Sequence, residues 1–239
     1  MLREQYLEFK IFERAERQEI LQELAGQAFG QLFAIDIPGP ERLGAIFGPM
    51  ARANRMSMVT FNDQENAFLD RIYLSANMPE VGSAVDMVGL FGQTGTASKL
   101  DAYSTRTTTY DVVFDPATGQ VDAELSLTES NDAPASANDY VLGRNEVSSL
   151  SGGPLDLGTN FLALGFYTRS DVVAIESTTA FRLDEATPAY SYDRYPIFFE
   201  VPLGGTAQMT VQLTAQVEPG RYDVFIPAQA TAVVSEFTL

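Results

Sequence analysis

The sequence predicts an α+β protein: a small N-terminal helical segment, residues 1–82, followed by an antiparallel immunoglobulin-like β-sandwich, residues 83–239. Before Gly82, apolar residues recur every three or four positions, which is the period of a helix. After Gly82 they alternate with polar residues, which is the period of a strand. Short alternating runs separated by Gly, Pro and Asp turns are typical of a sandwich.

The composition excludes several classes of function. The 239 residues are 45% hydrophobic, enough for a sizeable core in one or two domains. Fifteen basic against 32 acidic residues give a net charge of −17, which disfavours binding to nucleic acid or anionic lipid. No stretch approaches the roughly 18 apolar residues of a membrane span, so we expect no membrane insertion by this segment.

Cysteine and histidine are both absent from the sequence. Their absence excludes disulfides, a thiolate nucleophile, a Ser-His-Asp triad and the usual zinc or copper ligands. Only carboxylate, hydroxyl, amine or hard-metal chemistry is left for this chain.

The N-terminal segment reads as three helices that end by about Val81. The first runs from about Ile11 to Phe33, and we expect its apolar stripe to lie in a core. The second starts at Pro40 and should break at Gly48-Pro49. Asn62 or Asp63 should cap the third. The residues expected to face inward are Leu21, Leu24, Ala25, Ala28, Phe29 and Leu32 on the first helix, and Phe68, Leu69, Ile72 and Tyr73 on the third.

The rest of the chain reads as strands. Residues 98–114 are dense in Thr, Tyr and Val, which favour a pleated surface. The turn Asp115-Pro116-Ala117-Thr118-Gly119 joins them to an alternating run at 121–127, which predicts a hairpin. The clearest strand places Met209, Val211, Leu213, Ala215 and Val217 inward. Further strands are predicted at 83–91, 161–167, 172–176, 196–201, 208–217, 222–226 and 232–237.

Four residues at the start of the strand region form a candidate site: Lys99, Asp101, Tyr103 and Arg106. On a strand, Lys99, Asp101 and Tyr103 share one face and Arg106 lies on the other. Asp101 would then lie between two cations. We predict a structural seam between the helical segment and the first long strand. Contact of the same residues with a ligand is the alternative.

The sequence assigns no catalytic, cofactor-binding or metal-binding residue, and no cofactor is expected. Asn131, Asp132, Asn138 and Asp139 carry oxygen atoms of the kind that calcium binds, without the spacing of a dedicated loop. Whether calcium binds near Asp132 and Asp139 is left open. The oligomeric state is left open as well.

Several segments are similar to the domain-of-unknown-function 4012 family. The helical part resembles it through Glu4-Gln5-Tyr6-Leu7-Glu8-Phe9, Arg17-Gln18-Glu19-Ile20-Leu21 and Gly48-Pro49-Met50-Ala51. Three later motifs follow in the order of the family: Ser98-Lys99-Leu100-Asp101 with Tyr103 and Arg106, Asn131 with Ala133-Pro134, and Gly158-Thr159-Asn160.

This resemblance implies a setting as well as a fold. The family comprises large, mostly actinobacterial, membrane-anchored envelope proteins without an established activity, and the chain resembles their C-terminal portion. We therefore expect an extracytoplasmic, non-catalytic module of unknown ligand, with a role in assembly or adhesion. Its partners would be an upstream region of the same protein, another envelope protein or polysaccharide. The alternative is the accessory C-terminal half of an enzyme acting on envelope polysaccharide, with its catalytic residues upstream.

Overall fold

The computed structural model describes residues 14–34, 39–52, 56–72, 74–75, 85–143, 148–189, 191–225 and 233–238. The chain divides into two compact units. One comprises Met1–Asn77 with Asn138–Tyr140, and the other comprises Met78–Ala137 with Val141–Leu239. The predicted boundary between residues 82 and 83 lies outside the described residues and stays a prediction.

The described helices are α1 (Arg14–Ala34), α2 (Pro40–Arg52), α3 (Asp63–Arg71) and the short α4 (Asp139–Leu142). Asn62 caps α3, since its Oδ1 accepts hydrogen bonds from the amides of Gln64 (2.9 Å) and Glu65 (3.3 Å). The break expected at Gly48-Pro49 is wrong, because α2 continues through Pro49 to its end at Arg52. Proline removes one backbone hydrogen bond there without ending the helix.

The apolar stripe of α1 does not lie in a core, which corrects the expectation from the sequence. Leu24 and Phe29 are 56% and 60% exposed. On α3 only Leu69 is buried, whereas Phe68 and Ile72 are exposed. Two short helices present too little surface to cover a helix of 21 residues. The side chains of Leu32 and Tyr73 lie outside the described part.

The strands are β1 (Val85–Met87), β2 (Gly89–Thr94), β3 (Ser104–Asp115), β4 (Gln120–Asn131), β5 (Asn160–Thr168), β6 (Asp171–Ser177), β7 (Phe181–Leu183), β8 (Thr187–Ala189), β9 (Tyr192–Val201), β10 (Thr206–Gln216), β11 (Asp223–Phe225) and β12 (Val233–Thr238). One sheet has the order β12-β3-β4-β10-β6 and the other β2-β5-β9-β7, with β8 also paired to β9. These sheets confirm the β-sandwich.

The β3–β4 hairpin is the longest antiparallel pair, from Ser104 opposite Asn131 to Asp115 opposite Gln120. Its turn requires glycine at position 119, where φ is +79° and a Cβ would clash with the carbonyl oxygen of Val217. The alternation along β10 is confirmed, because Met209, Val211 and Leu213 are buried, and Ala215 and Val217 are half-buried and pack against the core. The core between the sheets includes Leu90, Tyr110, Val121, Leu125, Leu127, Leu162, Leu164, Phe166, Ile197, Phe199, Met209, Val211 and Leu213.

Two strand pairs are parallel, whereas the sequence predicts an antiparallel sandwich. β1 pairs with β11, and β12 pairs with β3. In each pair, a strand from the last part of the sequence, β11 or β12, lies beside a much earlier strand, β1 or β3. The two strands of a parallel pair need a long connection, and the many residues between them provide it. The immunoglobulin-like part of the prediction stays a prediction. None of the described helices is long and apolar enough to span a membrane.

Candidate functional site

The four seam residues do not lie on one strand. Lys99 precedes a 3₁₀ helix, Leu100–Tyr103, which contains Asp101 and Tyr103, and only Arg106 lies on β3. The shared strand face predicted for Lys99, Asp101 and Tyr103 is therefore wrong, because a 3₁₀ helix brings every third side chain into line. Asp101 is half-buried, and its Oδ2 accepts a hydrogen bond from the Thr94 amide (3.2 Å). The role as a seam with the helical segment stays a prediction.

Arg106 is buried inside the sandwich. Its Nε donates to Oε2 of Glu129 at 2.8 Å, and the two side chains are 2% and 1% exposed. They are directly opposite each other on β3 and β4. The ion pair of Arg106 thus involves Glu129, a residue that the sequence analysis did not single out.

The guanidinium of Arg106 reaches across to the other sheet. A Cβ at Gly92 on β2 would lie 2.7 Å from Nη2 of Arg106 and 2.7 Å from Cδ2 of Leu164. Such distances are too short for a real Cβ, so glycine at position 92 makes room for the guanidinium. The arginine therefore joins the two sheets.

Two buried asparagines extend this polar region. Asn131, at the end of β4, donates from Nδ2 to the carbonyl oxygens of Gly158 (2.9 Å) and Val201 (3.2 Å). Asn160, at the start of β5, donates from Nδ2 to Oγ of Ser104 (3.1 Å). Both asparagines are completely buried. We call Ser104, Arg106, Glu129, Asn131 and Asn160 the arginine network.

The arginine network brings together the three later motifs that carry the family resemblance. Arg106 belongs to the first motif, Asn131 to the second and Asn160 to the third. The backbone adds a further link, since the Asp132 amide donates to the carbonyl oxygen of Tyr103 at 3.1 Å. Motif residues that are 25 or more positions apart in the sequence therefore meet at one end of the sandwich interior.

Burial dominates the electrostatics of this network. It raises the pKa of the Glu129 carboxyl above its ordinary value, and the charge and hydrogen bond of Arg106 oppose that rise. The negative charge of Asp101 adds to the rise. Within the described part of the chain, Thr108 Oγ1 and Asn160 Oδ1 are buried without a hydrogen-bond partner.

A second polar cluster surrounds Asp86 on β1, which is also buried. Its carboxylate accepts hydrogen bonds from the amides of Met87 (2.7 Å) and Arg169 (2.9 Å) and from Oγ of Ser170 (2.5 Å). The hydroxyl of Thr168 lies 3.4 Å from both carboxylate oxygens. These contacts hold β1 against the turn between β5 and β6.

Two tyrosines complete this cluster. The Tyr222 hydroxyl donates to Asp86 Oδ2 at 3.4 Å and lies 3.2 Å from the Tyr110 hydroxyl. Burial raises the pKa of Tyr110 to about 12. The pKa of Tyr222 is also raised, first by burial and then by the Tyr110 and Asp86 charges. We call Asp86, Tyr110, Thr168, Ser170 and Tyr222 the aspartate network.

Neither network has the form of a catalytic centre. The ionisable side chains of each network are ion-paired or hydrogen-bonded to one another, and all except the half-buried Tyr222 are buried, which leaves little access for a substrate. In the described part of the chain no three acidic side chains lie close enough to hold a metal ion. Among the residues considered for calcium, the Asn131 amide is bonded to backbone groups, and Asp132 and Asp139 are exposed.

Sequence reasoning missed Glu129 and Asp86, although one signal for Glu129 was present. The turn pairs Asp115 with Gln120, and counting nine positions away from the turn on each strand places Arg106 opposite Glu129. The inward phase of Tyr110 and Val112 on β3 also places Arg106 inside. Nothing comparable marks Asp86, because its donors come from distant segments.

Comparisons of the chain with protein-family models, with curated proteins and with solved structures find no match. The resemblance carried by the motifs therefore stays a prediction.

Proposed function

We propose that this chain is a non-catalytic module of the cell envelope that acts in assembly or adhesion. The burial of the arginine network carries the proposal. Arg106, Asn131 and Asn160 are used to hold the sandwich together, so the motifs specify a scaffold. The extracytoplasmic location, the immunoglobulin-like class and the actinobacterial origin rest on the family resemblance alone.

A scaffold role follows from the energetics of buried charge. An isolated charge inside a protein is unfavourable by several kcal/mol, and a well-bonded ion pair offsets much of that penalty. Such a pair specifies one register of β3 against β4, since any slip would separate Arg106 from Glu129. A precise scaffold is what a module needs to present a constant outer surface.

The absence of catalysis is tested with the isolated chain on glycoside, ester and phosphodiester substrates. We expect no turnover. Turnover that disappears when one carboxylate is changed, for example Glu124→Gln on the exposed side of β4, would overturn the proposal. Binding is tested by co-sedimentation with insoluble peptidoglycan, a probe for the proposed polysaccharide partner.

The accessory half of an envelope enzyme is the second candidate, and one observation favours it. Ile20, Leu21, Leu24 and Phe29 on α1 are all exposed, as are Ile46, Phe47 and Met50 on α2. Soluble monomers rarely expose so many large apolar side chains together. An upstream region of the same protein, covering these helices, would account for them.

Co-expression with the upstream region separates the two candidates. Leu24→Asp and Phe29→Asp should abolish co-purification if α1 docks on that region. Val113→Asp is the matched control, because Val113 is exposed on the sandwich. Turnover that requires both parts would establish the accessory enzyme half, whereas a complex without turnover supports the module.

A further inference from the structure

We propose that the sandwich associates head to tail, with the outer face of the β2-β5-β9-β7 sheet of one copy packed on the outer face of the β3-β4-β10 strands of the next. The contact goes beyond the proposed function and requires neither the envelope location nor the absence of catalysis. It rests on a difference in chemistry between these two faces.

The first face, which we call the aromatic face, carries rings and guanidinium groups. Phe91 meets Tyr167 edge to face, with 5.4 Å between ring centroids, and Phe91 is 38% exposed. Arg182 lies 4.3 Å above the centroid of the Phe198 ring. Arg182 also donates from Nε to Oδ1 of Asp184 at 3.0 Å, so this guanidinium meets a partner as part of an ion pair, and Arg194 supplies the main positive charge of the face.

The centre of the aromatic face is formed by small residues. A Cβ at Gly165 would lie 3.0 Å from the Tyr167 ring and 3.3 Å from Nε of Arg194, so both side chains lean over this glycine. Arg182 and Arg194 are exposed, whereas Glu200 is half-buried and accepts hydrogen bonds from the Leu150 amide and the Ser149 hydroxyl. Aromatic and arginine side chains are the residues most enriched at interface hot spots.

The second face, which we call the hydroxyl face, is polar and acidic. Its outward residues lie in rows across the three strands, such as Thr107, Thr128 and Gln208, or Thr109, Ser126 and Thr210. The acids are Asp111, Asp115, Asp122 and Glu124, and the outward positions of these strands hold no lysine or arginine. The hydroxyl face therefore offers carboxylates to the guanidinium groups of the aromatic face.

The two faces have areas that suit a weak contact. With about 4.8 Å between strands and about 3.3 Å per residue, the hydroxyl face covers roughly 550 Å² and the aromatic face roughly 450 Å². Weak, transient interfaces bury less than about 1,200 Å² in total, whereas standard interfaces bury about 800 Å² on each partner. Twisted sheets already pack face to face inside the sandwich, and a second packing of this kind between copies uses the same geometry.

The two surfaces differ, so the contact is heterologous and one copy can bind a neighbour on each side. The net charge of −17 repels like copies, and we therefore expect weak association that grows with concentration.

Sedimentation velocity of the full chain over a wide concentration range tests the contact. Arg194→Glu on the aromatic face should raise the dissociation constant by about tenfold or more, and so should Asp111→Lys on the hydroxyl face. Arg221→Glu is the control, because Arg221 lies on neither face and its side chain is 79% exposed. Circular dichroism checks that each variant is folded.

Mixing two variants gives the decisive result. Arg194→Ala is combined with Asp111→Lys, because charge reversals on both faces would attract each other. Arg194→Ala keeps an intact hydroxyl face and Asp111→Lys keeps an intact aromatic face, so the mixture should form heterodimers and nothing larger. A wild-type chain that stays monomeric at all concentrations would overturn the proposal. So would a symmetric dimer unaffected by Arg194→Glu, or Arg194-dependent binding of polygalacturonate, an acidic polysaccharide, without self-association.

Discussion

The two polar networks lie at opposite ends of β5 and solve the problem of a buried charge differently. The arginine network, at Asn160, balances Glu129 with a full opposite charge from Arg106. The aspartate network, at Thr168, surrounds Asp86 with neutral amide and hydroxyl donors. Loss of either partner of the ion pair leaves an unpaired buried charge, which is strongly destabilising. Loss of one neutral donor to Asp86 removes a single hydrogen bond and leaves the others, so the destabilisation is smaller.

The difference also separates their structural roles. Arg106 connects the two sheets by reaching Gly92, and its pairing with Glu129 specifies the register of the longest hairpin. Asp86 attaches the short parallel β1–β11 pair to the turn after β5. We therefore expect damage to the arginine network to affect the whole sandwich and damage to the aspartate network to affect mainly one edge.

The largest effect is expected from Arg106→Ala, which leaves Glu129 buried without its counter-charge. We expect the free energy of unfolding to fall by about 3–5 kcal/mol, measured by urea denaturation. Arg182→Ala is the matched control, because that arginine forms an exposed ion pair with Asp184 and should contribute roughly 0–1 kcal/mol. Equal effects of the two substitutions would contradict the distinction between buried and exposed pairs.

Asp86→Ala should have the next largest effect, about 2–3 kcal/mol, because it leaves the amides of Met87 and Arg169 and the Ser170 hydroxyl without their acceptor. Hydrogen exchange should show the loss concentrated at β1 and β11. Asp111→Ala, at an exposed position of β3, is the control. If Asp86→Ala instead reduced hydrogen-exchange protection equally across both sheets, the inference that Asp86 stabilises only the β1–β11 edge would be wrong.

The aspartate network should also limit stability at high pH. The pKa of Tyr110 is raised to about 12 in the folded chain, against about 10 when unfolded. From about pH 10 upward the unfolded state releases a proton that the folded state retains, so stability falls as the pH rises through this window. Tyr222 is a second tyrosine whose pKa is raised, so Tyr222→Phe should reduce the dependence of the unfolding free energy on pH. Urea denaturation at several alkaline pH values measures this slope. An unchanged slope would exclude Tyr222 as a contributor.

Asp101→Asn is expected to have the smallest effect, about 0.5–1.5 kcal/mol, since Asp101 is half-buried and its carboxylate accepts a hydrogen bond from the Thr94 amide. Thermal denaturation measures it. An unchanged melting temperature together with lost binding of a partner would favour the ligand interpretation of these residues over the structural one.

Local patterns were enough to predict most of the sandwich and little of the networks. The Asp115–Gly119 turn and the alternation around Met209 specify strands through neighbouring residues alone. The 3₁₀ helix at Leu100–Tyr103 was missed, because the Thr- and Tyr-rich composition of this stretch favours a strand. The bend is stabilised by the hydrogen bond from the Thr94 amide to Asp101, a contact that composition does not reveal. The donors of Asp86 lie more than 80 positions away, apart from Met87, and no local rule brings them together.

A double-mutant cycle between Arg106 and Glu129 tests the central claim most directly, namely that the motif residues act as a structural unit. Arg106→Met, Glu129→Leu and the double variant are compared by urea denaturation. We predict that the single variants are strongly destabilised and that the double variant recovers most of the loss, with a coupling energy of about 3 kcal/mol. Additive losses with a coupling energy below about 0.5 kcal/mol would show that the two residues act independently and would contradict a buried ion pair.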